Sequence, residues 1–216
     1  MAQSPGSTSA NSTATPRIFY LTAYNLIFST LWTSLLITSI TQSPNGKIHL
    51  FNTTAIPARW IQTASLIEVV HAATGLIKSP VSTTALQVVT RVIQVWMVWF
   101  CFPESTAESN AYGALVMAWA TADAIRYAYL AANLWKSAPE WLLWLRYTMF
   151  YPLYPIGIGA EWWLLFRAIE PAGKISAVIP PIFWFCLMLY IPGSWKMYTY
   201  MIKQRRKALG GQKKSN

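Results

Sequence analysis

Residues 141–166 read WLLWLRYTMFYPLYPIGIGAEWWLLF, a run of Trp, Leu, Phe, Tyr, Ile and Met that encloses one carboxylate, Glu161. A helix needs about 20 such residues to cross a bilayer, so Trp141–Phe166 is long enough to span. A carboxylate in hydrocarbon costs about 2.5–3.5 kcal/mol on insertion scales. Such a group marks either a functional site or a buried ion pair. Tyr154 lies two helical turns upstream of Glu161, on the same face.

Five further runs have similar character: Tyr20–Ile40, Ile56–Ile77, Val81–Phe102, Ala111–Leu134 and Ala177–Tyr198. The chain is 54% hydrophobic and only 11% charged, whereas a soluble domain carries about 25% charged residues. The runs do not alternate apolar and polar residues, which argues against a membrane β-barrel. The connections are short. The expected fold is therefore all-α: a polytopic membrane protein built as one six-transmembrane-helix bundle over residues 17–202.

Residues 1–16 are rich in Ser, Thr and Ala and lack a basic or apolar block, so they read as a disordered leader and not a signal peptide. Residues 203–216 read as a basic, flexible tail. The formal net charge is +10, and much of it gathers at the C-terminal end in Lys196, Lys203, Arg205, Arg206, Lys207, Lys213 and Lys214. Positive residues mark the cytoplasmic side, and an even number of spans puts both termini there. The acidic loop with Glu104 and Glu108 then falls on the lumenal side, although Lys47 and Arg59 share that side. Cys101 and Cys186 sit within apolar runs and imply neither a disulfide framework nor a zinc site. Asn52 lies in an Asn-x-Thr sequon on the lumenal side, close to the bilayer. Nucleic-acid binding does not suit a chain of six spans.

This topology allows depth to be counted at a rise of about 1.5 Å per residue. Glu68, His71, Arg91, Asp123, Arg126 and Tyr154 all fall near the midplane, with Glu161 roughly 10 Å further toward the lumen. Local spacing adds faces: Glu68 and His71 are i, i+3; Gln87 and Arg91 are i, i+4; Asp123 precedes Arg126 and Tyr127 by one turn. Four helices thus send polar groups inward to a shared interior. Asp123 with Arg126 reads as a structural pair, and Gln87 with Arg91 as ties between helices. Glu68-x-x-His71 matches the Glu-x-x-His pattern of di-iron bundles, but His49 and His71 are the only histidines. No metal site is expected. Phosphate-loop, Ser-His-Asp and dinucleotide fingerprints do not occur, so no cofactor is expected either.

At these residues the chain resembles the very-long-chain (3R)-3-hydroxyacyl-CoA dehydratase family, also called protein tyrosine phosphatase-like A. The likeness runs from about Tyr20 to about Gly193. It includes Tyr20-Leu-x-x-Tyr24-Asn25 with Trp32, then Leu66-x-Glu68-x-x-His71-x-x-x-Gly75, then Ser79, Thr84, Gln87, Arg91 and Trp96. Trp119-x-x-x-Asp123-x-Ile125-Arg126-Tyr127 follows, and finally Arg146-Tyr147 and Leu153-Tyr154-Pro155-x-Gly157-x-x-x-Glu161. The family usually has Glu where this chain has Asp123. The resemblance implies Tyr154 and Glu161 as catalytic residues; Glu68, His71, Gln87, Arg91, Asp123, Arg126 and Tyr127, at similar depth, are candidates for active-site support. It implies loss of water from a (3R)-3-hydroxyacyl-CoA to give the trans-2-enoyl-CoA. That is the third step of very-long-chain fatty acid elongation in the endoplasmic reticulum membrane, and it supplies sphingolipid precursors. The implied partners are the elongase, ketoacyl-CoA reductase and enoyl-CoA reductase of the same cycle. The phosphatase name finds no support, because neither Cys101 nor Cys186 begins a Cys-x5-Arg loop.

Such a dehydration needs a base for the C2 proton and an acid for the departing hydroxyl. Glu161 as base with Tyr154 as donor is one assignment, and the reverse is the other. Pro155, Gly157 and Gly159 are expected to distort the helix and bring the two groups closer. The acyl chain suits an apolar interior, while Lys78, Lys136 and Arg146 near the cytoplasmic ends can meet CoA phosphates or simply anchor the helices. Two other classes stay open. A non-enzymatic scaffold subunit of a lipid-synthesis complex would not need Tyr154 and Glu161. A small-solute transporter would show an internal repeat.

Overall fold

The computed structural model describes residues 9–212, and those residues are almost wholly helical. In chain order the helices are α1 (Ser9–Gln42), α2 (Lys47–Ala64), α3 (Ile67–Ala73), α4 (Val81–Ile93), α5 (Pro103–Ala107), α6 (Asn110–Leu134), α7 (Glu140–Thr148), α8 (Phe150–Ile175) and α9 (Ile179–Gln212). A π-helical segment, Gln94–Phe100, prolongs α4. Residues 1–8 of the expected leader and Lys213–Asn216 lie outside the described residues. The helix α1 takes in the rest of the leader from Ser9. The flexible tail expected from Lys203 is instead helical as far as Gln212. Its Lys, Gln, Arg, Ala and Leu are good helix formers.

Two expected runs are each divided between two helices. In the second run, α2 stops at Ala64, where Ser65 Oγ donates to the Gln62 carbonyl at 2.6 Å and Gln62 Nε2 donates back to Ser65 Oγ at 2.9 Å. Side chains that bond locally to backbone compete with the helix ladder. In the fifth run, α7 ends at Thr148 and α8 restarts at Phe150. The restart puts Pro152 in the first turn of α8, where an N–H has no intrahelical acceptor. Among the described residues, two helical stretches are long and apolar enough to cross a membrane by length and composition, Pro16–Asn45 and Val81–Phe100. These correspond to the first and third of the six expected runs. The second and fifth are broken, and the fourth carries Asp123 and Arg126 within α6.

Helix α6 is the hub. It packs along α1 and α8, and touches α2, α5 and α7 as well. Its alanines and Gly113 let neighbouring backbones approach, as small residues do at helix interfaces. A Cβ at Gly113 would meet Leu50 Cδ2 at 3.1 Å. The core runs from Phe28, Trp32 and Leu35 of α1 through Trp99, Tyr112 and Leu115 to Leu164 and Ala168 of α8. Polar ties cross it: Ser29 Oγ donates to the Ala124 carbonyl at 3.1 Å, and the Thr54 and Tyr112 hydroxyls are 2.8 Å apart. The outer faces are strongly apolar, with Ile37, Ile56, Leu86, Phe185, Ile191 and Trp195 all exposed.

Candidate active site

The site grows from one stripe of α6. Trp119, Asp123, Arg126 and Tyr127 follow one another at helical spacing on one face, and Trp119, Asp123 and Tyr127 are buried. Each is met by a side chain from another helix. From α4, Arg91 Nη1 pairs with Asp123 Oδ2, and its guanidinium carbon sits 4.9 Å from the Trp119 ring centre. From α3, Glu68 receives Arg126 Nη2 on one oxygen and the Tyr127 hydroxyl on the other. Arg126 Nη1 also reaches Asp123 Oδ1 at 3.5 Å. Two carboxylates and two guanidiniums therefore balance in one chain, Arg91–Asp123–Arg126–Glu68. Buried charges are tolerable only when paired and hydrogen-bonded in this way.

The expected pairing of Asp123 with Arg126 is present, but Arg91 joins it from a third helix. Glu68 and His71 do not bond to each other. His71 turns instead to α1, where its Nε2 is 2.9 Å from the Tyr20 hydroxyl and its ring lies edge-on to Tyr24 at 4.9 Å. Gln87 is exposed and makes no side-chain hydrogen bond among the described residues. It stands one turn from Arg91 but outside this network.

Glu161 enters from α8. Its Oε1 accepts from Trp119 Nε1 at 2.9 Å, and its Oε2 accepts from the Tyr190 hydroxyl of α9 at 3.1 Å. Through Trp119 the carboxylate stands next to the Arg91 guanidinium. Tyr154 also faces α9: its hydroxyl donates to the Ser194 carbonyl at 3.4 Å, and its ring stacks on Tyr198 at 5.6 Å. An open groove of about 580 Å³ lies there between α8 and α9, lined by Tyr154, Pro155, Ile158, Ile191, Pro192 and Trp195 among others.

Helix α8 runs through Pro155, Gly157 and Gly159 without a break. Tyr154 and Glu161 stay two turns apart, a rise of about 10 Å along the axis. They share the face turned to α9, where α9 supplies Tyr190 to one and Ser194 to the other. The α8–α9 groove opens beside Tyr154 and reaches Ile158, one turn short of Glu161.

Near the α6–α7 end, Arg146 of α7 lies over the Tyr129 ring at 4.6 Å and the Tyr147 ring at 5.5 Å. Its Nη1 is buried and has no hydrogen-bond partner among the described residues. Arg205 of α9 reaches Thr148 Oγ1 at 3.4 Å. Lys78 and Lys136 are exposed, and Lys136 adopts the left-handed conformation (φ 52°) just past α6.

Sequence reasoning missed Tyr190, and it assigned no role to Ser194 or Arg205. The available signal was the spacing of Tyr190, Ser194 and Tyr198, which recurs every four residues along an otherwise apolar helix.

A family model described as "Protein tyrosine phosphatase-like protein, PTPLA" matches residues 62–211. The very-long-chain (3R)-3-hydroxyacyl-CoA dehydratase hpo-8 of Caenorhabditis elegans is 38% identical to the chain, covering 90% of it and 96% of the nematode protein. A probable very-long-chain (3R)-3-hydroxyacyl-CoA dehydratase of Schizosaccharomyces pombe is 37% identical, covering 88% of the chain and 93% of the yeast protein. PASTICCINO 2 of Arabidopsis thaliana, also named as such a dehydratase, is 34% identical over 92% of the chain and 96% of its own length. No solved structure matches the chain.

Proposed function

The chain belongs to the protein tyrosine phosphatase-like PTPLA family, and from that premise we propose how it works. It is a very-long-chain (3R)-3-hydroxyacyl-CoA dehydratase of fatty acid elongation. Tyr154 and Glu161 carry the two proton transfers. The observation behind this assignment is their shared face on α8, with the α8–α9 groove beside Tyr154.

In this reading the acyl chain lies along the groove, with C2 and C3 between the two side chains. One group takes the C2 proton, which the thioester carbonyl acidifies. The electron pair of that C–H bond becomes the C2=C3 double bond, and the C3–O bond breaks. The other group gives its proton to the departing hydroxyl, which leaves as water. One proton is taken and one given, so the pair is restored by a single exchange. Neither an oxidant nor a reductant is needed. Purified protein converting a long-chain (3R)-3-hydroxyacyl-CoA to its trans-2-enoyl product, followed by enoyl absorbance, tests the reaction. Absence of product from folded protein would refute it.

The CoA end extends toward the α6–α7 end of the bundle. Arg146, partly exposed, meets a CoA phosphate there. Lys78 and Lys136 add to the positive field. Arg146→Gln is expected to raise KM about 10-fold with kcat nearly unchanged, the mark of lost uniform binding. An unchanged KM would return Arg146 to an anchoring role.

The bundle over residues 17–202 is proposed to span the endoplasmic reticulum membrane six times, with both termini cytoplasmic. The exposed apolar faces of α1, α2, α4 and α9 support this, as does the basic end of α9. Tags at both ends should therefore be digested by protease added to sealed endoplasmic-reticulum microsomes. Protection of either tag would overturn the topology. The elongase and the two reductases of elongation are the proposed partners.

A further inference from the structure

A proton-transfer carboxylate must be held as well as placed. The last torsion of a glutamate is broad and roughly two-fold, so a carboxylate gripped at one oxygen still swings about it. Glu161 is gripped at both. Trp119 Nε1 of α6 takes Oε1 at 2.9 Å, and the Tyr190 hydroxyl of α9 takes Oε2 at 3.1 Å. Each oxygen keeps one lone-pair site free, and the two donors come from different helices, so the plane of the carboxylate is set.

The Tyr190 ring packs against the core, but its hydroxyl is not what docks α9. Phe183 and Leu187, two turns and one turn earlier on the same helix, are buried in the core and hold α9 in place. The Tyr190 hydroxyl has Glu161 as its hydrogen-bond partner. One turn further along α9 lies Ser194, whose carbonyl receives Tyr154. The same helix thus steadies both members of the acid–base pair.

We propose that Tyr190 is a positioning residue of the dehydration, holding Oε2 of Glu161 so that the carboxylate presents fixed lone pairs to the reacting carbons. This rests on Glu161 acting in proton transfer. The test is a double-mutant cycle in purified, monodisperse protein, with Tyr190→Phe and Glu161→Gln made singly and together. Tyr190→Phe deletes one hydroxyl from a half-buried ring and nothing else. A hydrogen bond to a charged group is lost, so kcat should fall about 10- to 100-fold, with KM changed by less than about two-fold. In the Glu161→Gln background the same change should cost less than about two-fold, because the partner it positions is already gone. Unchanged kcat in Tyr190→Phe would overturn the proposal. So would an equal loss in both backgrounds, since Tyr190 would then act through the fold. Near-normal turnover of Glu161→Gln alone would instead remove Glu161 from the chemistry, and the role of Tyr190 with it.

Discussion

Tyr154→Phe and Glu161→Gln are each expected to lower enoyl-CoA formation per folded molecule by about 10²- to 10⁴-fold, the usual cost of losing a positioned acid or base. Both substitutions keep side-chain volume nearly constant, so packing survives. Tyr154→Phe forfeits one long bond to the Ser194 carbonyl and keeps the stack on Tyr198. Glu161→Gln keeps an acceptor oxygen for Trp119 or Tyr190. Neither change leaves a buried charge unpaired, and yield and monodispersity should match the parent protein. The measurement is single-turnover product formation at saturating substrate. If both variants turn over normally, the chemistry must be sought around Glu68, His71 and Arg91.

The second large effect is on stability. Arg126→Met removes the cation shared by Glu68 and Asp123, whose side chains are only 5% exposed. Removing one partner of such a pair strands the other, at a cost of about 3 kcal/mol. Arg91 still holds Asp123, so the burden falls on Glu68, which keeps only the Tyr127 hydroxyl. The variant should therefore aggregate on mild heating in detergent, while any folded fraction keeps near-normal kcat. Adding Glu68→Gln should recover most of the lost stability, because the uncompensated charge is gone. A thermal midpoint unchanged by Arg126→Met, or a double variant as unstable as the single one, would show that the network carries no such strain. This separates the Arg91–Asp123–Arg126–Glu68 chain, which ties helices together, from the two groups proposed to move protons.

What the sequence made legible follows from local periodicity. Tyr154 and Glu161 share a face because seven residues make two turns, and that needs no knowledge of neighbouring helices. The α6 stripe from Trp119 to Tyr127 is legible for the same reason. The partners across helices are not. That Glu68 meets Arg126 and Tyr127, while His71 meets Tyr20, depends on how α3 leans between α1 and α6. No spacing within α3 encodes that choice. Gln87 illustrates the converse: a regular i, i+4 relation to Arg91 placed it in the interior on paper, yet the turn it occupies faces outward. Boundaries went astray where one residue decides. Ser65 and Gln62 break the second run through two side-chain hydrogen bonds, a detail that hydropathy averages away. Pro155 misled in the opposite sense, because α8 continues through it without a break.

The groove between α8 and α9 has an open side, and this bears on how the enzyme measures its substrate. A closed tunnel counts methylenes by its end wall: one carbon too many collides, one too few leaves a void. A trough open to the surrounding hydrocarbon has no such stop. Methylenes beyond Trp195 and Ile158 are solvated by lipid in the free substrate and by lipid in the bound one, so their transfer energy cancels. Only the carbons nearest the thioester are gripped. With the acyl chain in the proposed place, the rate is expected to vary little with tail length once the trough is filled, which would make the enzyme a gauge of the functional group and not a ruler of the chain.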